Sequence, residues 1–162
     1  MTYKVLKKLV KITRPFVWKI ARAYSLKVIP FPIAAGRHEL IFRGDHDKVT
    51  HQVPGSCYFN TASGKITVGE NTVFGENVMI LTGKHLNIEE ASESSLDLHA
   101  VPENGRDVII GCGCYIGSGA IIIGPVQIGD FSVIGAGSIV TKNVPHKTFY
   151  AGNPARMIRK FK

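Results

Sequence analysis

The sequence predicts an all-β solenoid of short parallel strands wound in steps of six residues, with a short helical segment before it and a loop protruding from it. Three observations carry that expectation. From Ile110 the chain writes out in sixes as IGCGCY, IGSGAI, IIGPVQ, IGDFSV, IGAGSI and VTKNVP. The first position is Ile or Val in every block, and glycine follows it in four of the six. The fifth position is Cys114, Ala120, Val126, Ser132, Ser138 or Val144, each small or β-branched. The frame also continues upstream, as VGENTV from Val68, FGENVM from Phe74 and ILTGKH from Ile80. Val68 and Ile110 therefore stand seven whole sixes apart, and the phase survives an interruption.

A period of six fits neither a 3.6-residue helix nor a two-residue strand alternation. Three blocks close one triangular turn, so blocks three apart stack, strand on strand, at about 4.8 Å. The aliphatic first position and the small fifth position then point inward and fill a narrow prism. Glycine relaxes the backbone where the chain bends into the next face. The expected turns are 68–85, 110–127 and 128–145, with one or two less regular turns before Val68.

Taken in chain order, residues 3–24 read as helix, because Val5, Leu6, Leu9, Ile12, Phe16, Ile20 and Tyr24 recur at helical steps. Pro15 should kink that run or start a second helix. Residues 1–38 carry nine Lys and Arg and no acid, leaving 11 basic against 12 acidic residues in the rest of the chain. The formal charge of +8 thus belongs to the N-terminal segment. Two readings of that segment stay open: docking on an anionic membrane surface, or an amphipathic helix packed on the coil with its lysines solvated. Aromatic-rich basic motifs of the RNA-binding kind are absent, so no nucleic-acid partner is expected. No apolar run approaches the roughly 20 residues that span a bilayer, and no signal-peptide pattern appears. The organisation expected is a basic helical segment over 1–25 and a coil domain over 26–162.

Residues 25–55, with Pro30, Pro32, Gly36 and Gly55, read as irregular strands entering the coil. His46 and His51 stand at i and i+5, a spacing that suits neither one helix face nor one strand face, so no metal is expected. The segment 86–107, LNIEEASESSLDLHAVPENGRD, is polar and acidic, and long ordered loops in compact domains are usually functional. The three cysteines, Cys57, Cys112 and Cys114, are an odd number with only C-x-C as a close pair. A reducing compartment, and with it a cytoplasmic location, is the simpler inference.

The blocks match the pattern [LIV]-G-x-x-[STAV]-x, and the chain resembles the hexapeptide-repeat acyltransferases over roughly residues 55–160. The segment LTGKH and the ending IGAGSIVTKNVP…AGNPARMIRK are similar to the galactoside, maltose and xenobiotic acetyltransferase branch. This resemblance implies a left-handed parallel β-helix, against the usual crossover hand. It implies acetyl-CoA as acyl donor, a hydroxyl of a sugar or glycan precursor as acceptor, and a homotrimer with active sites between neighbouring subunits. The loop after His85 would cover the acceptor pocket.

Moving an acetyl group from a thioester to a hydroxyl needs a base, donors for the oxyanion and a groove for a phosphate-bearing carrier. The resemblance implies His85 as the base; the related enzymes place their histidine one residue earlier, and here Lys84 intervenes. It implies coenzyme contacts from Ser118, Ala136, Thr141, Lys142, Arg156 and Arg159. Lys142 and Arg159 suit phosphate, and small residues let the pantetheine arm lie against the coil. Tyr115 stands where relatives often carry Trp near the acyl group, and Asn60, in YFNTASG, corresponds to an acceptor-contacting Phe-Asn segment. Each has a plainer reading: a surface histidine, a turn filler, an exposed aromatic, solvated charge. The carboxylate that orients His85 is one of Glu89, Glu90, Glu93, Asp97 and Glu103, which the sequence does not separate.

Rival functions are an N-acyltransferase on an amino sugar, a γ-carbonic-anhydrase-like metal protein and a purely structural β-helix. Serine acetyltransferase fits less well, since its paired Asp and His around an earlier turn are not evident. Gly111, Gly113 and Gly117 form GxGxxxG, one residue too long for a dinucleotide loop. Cys114 falls on an inward fifth position, and Cys112 has no adjacent histidine to activate it, so direct transfer is expected over a cysteine nucleophile.

Overall fold

The computed structural model describes residues 33–44, 52–83 and 100–162, together with Thr13, His85, Glu89, Ser92 and Glu93. The chain divides into one compact unit over Met1–Pro30 and a second over Phe31–Lys162. The helix expected over 3–24, the His46 and His51 pair, Lys84, Glu90 and Asp97 lie outside the described residues.

The described residues of the second unit form fourteen short strands. In chain order they are β1 (Ile33–Gly36), β2 (Leu40–Phe42), β3 (Tyr58–Thr61), β4 (Ile66–Val68), β5 (Val73–Phe74), β6 (Met79–Leu81) and β7 (Val108–Ile110). They continue as β8 (Tyr115–Ile116), β9 (Ile121–Ile123), β10 (Val126–Ile128), β11 (Val133–Ile134), β12 (Ile139–Val140), β13 (Thr148–Gly152) and β14 (Ala155–Lys160). Up to β13, each strand pairs in parallel with the one a full turn away, which gives three sheets. Sheet I runs β1-β3-β6-β9-β12, sheet II β2-β4-β7-β10, and sheet III β5-β8-β11-β13-β14. This is the left-handed parallel β-helix that the resemblance implied.

The register bears out the six-residue phase. Ile110 lies opposite Ile128, three sixes on, and opposite Val68, seven sixes back. Four sixes beyond one ordinary turn therefore leave the coil after Leu81 and return at Val108 without shifting its frame. Before Val68 the turns are irregular, as expected: β1 pairs with β3, and β2 with β4, across spans that are not whole sixes.

The inward positions are those the sixes predict. The buried first-position side chains stack in three columns, one per sheet: Ile122 with Val140, Ile110 with Ile128 and Ile116 with Ile134. Between them lie the fifth-position residues Thr72, Val78, Cys114, Ala120, Val126, Ser132, Ser138 and Val144, all buried. The polar ones are satisfied by the backbone of the next coil. Thr72 Oγ1 donates to Gly111 O at 2.7 Å, Ser132 Oγ donates to Pro145 O at 2.8 Å, and Ser138 Oγ accepts from Gly152 N at 3.1 Å. Near the N-terminal end three aromatic rings fill the prism edge to face, Phe42 on Phe59 and Phe59 on Phe74.

The glycines divide their duties differently from the expectation. A Cβ on second-position Gly69, Gly117 or Gly129 would lie 2.5 Å from the backbone of the following coil, so glycine there permits close approach of successive turns. The left-handed conformation falls on the fourth position instead, at Asn71, Asn77, Gly113, Gly119, Phe131 and Gly137. Beyond the repeat, β14 turns back antiparallel on β13.

Candidate active site

The corner between sheets I and II is where the coil opens. Asn60 lies on β3 between buried Phe59 and Thr61, so alternation points it out of sheet I. Its Oδ1 accepts from Ala62 N at 2.8 Å, which leaves the amide Nδ2 to donate outward. Thr82 is pinned beneath it: its backbone N and its Oγ1 both donate to Asn60 O, at 3.0 and 2.9 Å, while Oγ1 accepts from Ser63 N at 3.1 Å. A Cβ on Gly83 would lie 2.7 Å from Ala62 Cβ and 3.0 Å from Asn60 Oδ1. The Thr-Gly pair thus has a local cause: it locks the outgoing stem of the loop against the preceding coil. His85 emerges two residues later, exposed.

The returning stem is fixed at the same corner. Arg106 N donates to Ser63 O at 3.1 Å, Asp107 Oδ1 accepts from Lys65 N at 2.8 Å, and Val108 N donates to Lys65 O at 2.9 Å. Arg106 itself is buried. Glu89 and Glu93, two of the five candidate carboxylates, are exposed, and Glu103 is tied to Arg37 of the first coil.

The remaining candidates fall into separate places on the coil. Thr141 and Lys142 are exposed at the I–II corner of the last coil, two turns beyond Gly83 along the stack Leu81–Ile123 and Ile121–Ile139. Ser118 and Ala136 occupy the III–I corner, on the far side of sheet I from His85. Ser118 has a structural part to play, since its Oγ accepts from Glu76 N at 3.2 Å. Ala136 is exposed beside Gly117, whose Cβ would lie 2.5 Å from Ala136 N. Tyr115 projects from sheet III, 48% exposed, in line with Val73 and Val133. Arg156 and Arg159 stand exposed on β14; Arg159 lies 5.0 Å from the Phe161 ring centroid, a cation–π contact. The chain therefore sets His85, Asn60, Thr141 and Lys142 along one corner and Ser118 and Ala136 along another, with one sheet between them.

One electrostatic feature escaped a whole-chain charge count. From Phe131 to the C-terminus the chain carries Lys142, Lys147, Arg156, Arg159, Lys160 and Lys162 and no carboxylate side chain. The net charge of −1 beyond residue 38 conceals this cationic end behind an acidic middle.

All three cysteines are free thiols. Burial raises the Cys57 and Cys114 thiols above their ordinary value. Cys112 is partly exposed in a shallow groove of about 240 Å³ on sheet II, lined also by Arg43, Gln127, Asp130 and His146. Among the described residues no group of three His, Cys, Asp or Glu side chains is placed to hold a metal ion, and no helix is long and apolar enough to cross a membrane.

With the coil geometry in place, comparison with known proteins identifies the repeat. Residues 107–142 match the bacterial transferase hexapeptide, six repeats. Over this stretch the chain carries the six-residue repeat that the family model describes. The chain is similar to the galactoside O-acetyltransferase of Escherichia coli, 38% identical over 94 residues, which are 58% of this chain and 43% of that protein. It is also similar to the mitochondrial serine acetyltransferase 3 of Arabidopsis thaliana, 40% identical over 57% of this chain and 21% of that one. The chain thus spans less than half the length of these curated relatives. A hexapeptide-repeat acetyltransferase from Vibrio cholerae, solved with acetyl coenzyme A, superposes with a TM-score of 0.53 at 22% identity, covering 88% of this chain and 78% of that one. That likeness is one of fold.

Proposed function

We propose that this hexapeptide-repeat protein is an acetyl-CoA-dependent O-acetyltransferase that acts on a hydroxyl of a sugar or glycan precursor, with His85 as general base. The observation that carries the reading is the placement of His85. It follows by two residues a Thr-Gly stem locked to Asn60, in a turn whose frame the long loop does not disturb. Neutral imidazole takes the hydroxyl proton as the oxygen attacks the thioester carbon, and the thiol of coenzyme A departs. Backbone N–H groups of the coil stabilise the oxyanion, and the Asn60 amide donates to an acceptor oxygen.

The carrier is held by Ser118, Ala136, Thr141, Lys142, Arg156 and Arg159, with Tyr115 near the acyl group. The six cations of the last turn and hairpin favour its phosphates. Because His85 and Ser118 lie across sheet I from each other, the site is completed in a homotrimer, one subunit supplying the base and a neighbour the Ser118 corner. The outward face of sheet I supports that assembly. Tyr58, Met79, Leu81, Ile121, Ile123 and Ile139 cover it with apolar surface in consecutive rungs. The free thiols support a reducing, cytoplasmic setting, and the basic segment 1–38 would bring the enzyme to the inner face of a membrane.

Thiol release from acetyl-CoA across a panel of sugars, amino sugars, nucleotide sugars and serine tests the reading. Turnover with a hydroxyl-bearing sugar is expected. Turnover only with an amine or with serine would replace the acceptor class, and no turnover with any acceptor would refute the assignment.

A further inference from the structure

The returning stem of the loop is held at one more place than the coil itself requires. Glu103 is bound twice from the first coil: Arg37 Nη1 lies 3.1 Å from its Oε1, and His38 Nε2 lies 2.7 Å from its backbone oxygen. A carbonyl oxygen only accepts, so His38 carries a ring proton on Nε2. Arg37 and His38 belong to the turn between β1 and β2, at the same I–II corner as the stem but two coils before it. Their contacts therefore bridge the intervening turn at 62–65. Two residues beyond Glu103, Gly105 takes the left-handed conformation at φ +86, and Arg106 is then buried at 7% exposure. An exposed ion pair alone holds little. Here it shares one residue with a bond to the main chain, so the side chain and the backbone of Glu103 are fixed together.

We propose that Arg37 and His38 are positioning residues for the acceptor side of the site. They brace the returning stem at the corner where the outgoing stem presents His85, without touching the reacting atoms. The inference rests on the transferase reading for its kinetic consequence and on the contacts alone for its structural one.

The test is the Arg37→Gln, His38→Phe double variant of the full chain, followed by steady-state kinetics and by amide hydrogen exchange at residues 100–105. The acceptor KM should rise about fivefold, the scale of losing a weak surface pair. The KM for acetyl-CoA and kcat should move less than about twofold, and exchange at 100–105 should accelerate. Exchanging the charges, Arg37→Glu with Glu103→Arg, should recover part of the acceptor KM. An unchanged acceptor KM overturns the proposal. So does a uniform loss in all three constants with a lowered thermal midpoint, which would mark a merely structural role. If the wild-type protein transfers acetyl to nothing, the transferase reading fails by itself. Exchange then decides: acceleration supports the brace, and unchanged exchange refutes it.

Discussion

Cys57 and Cys114 are 1% and 2% exposed, and burial, which disfavours the thiolate, raises both thiols above the ordinary 9.0. The folded chain therefore keeps protons that the unfolded chain releases. This contribution is intact below about pH 9 and is lost as pH climbs through the raised folded values. Denaturant unfolding should show stability falling as pH rises past about 9, and Cys114→Ala should flatten that fall. In the native protein at neutral pH, iodoacetamide should label Cys112 well ahead of the other two, because it is the partly exposed thiol. Equal labelling of all three would contradict the packing described. The inward position of Cys114 was legible in the sequence, since it occupies a fifth position of the repeat. The hydrogen bonds that hold Ser118 and Thr82 were not, because they reach far along the chain to backbone groups that carry no sequence signal.

Among the elements, the loop and the coil make separable contributions. Deleting residues 83–106 joins Thr82 to Asp107 and shortens the interval between Val68 and Ile110 from seven sixes to the three of an ordinary turn. The shortened chain should keep its parallel sheets, because every first and fifth position stays in frame. Circular dichroism and a single cooperative unfolding transition would show this, while acetyl transfer should fall to background with His85 gone. A chain that fails to fold would mean that the loop stems, and Arg106 buried at the corner, are part of the coil's stability. The repeat was readable because a solenoid core is written locally: each block carries its own inward residues, and stacking adds only a phase. The hairpin of β13 and β14 was not readable. Its strands follow no six-residue frame, and pairing between them depends on a turn at Asn153 and Pro154. The duty of position four was likewise obscured, since Phe131 adopts the conformation that glycine and asparagine advertise elsewhere.

In the molecule as a whole, charge is sorted along the sequence of the coil. The acidic residues lie in the middle, around the loop, and the last turn with its hairpin is cationic. Such sorting suits the proposed hold of a polyanionic carrier by the cationic end. It also explains why net charge alone pointed only to the N-terminus. The division of the candidate residues between two corners has the same consequence for assembly: neither corner holds a base and the proposed thioester contacts together, so the reading requires neighbouring subunits. The most direct measurement is kcat for His85→Ala set beside its affinity for coenzyme A by calorimetry. A loss of about 10²–10⁴ in kcat is expected, the usual worth of a general base, with coenzyme affinity unchanged. A variant that turns over at the wild-type rate would contradict it.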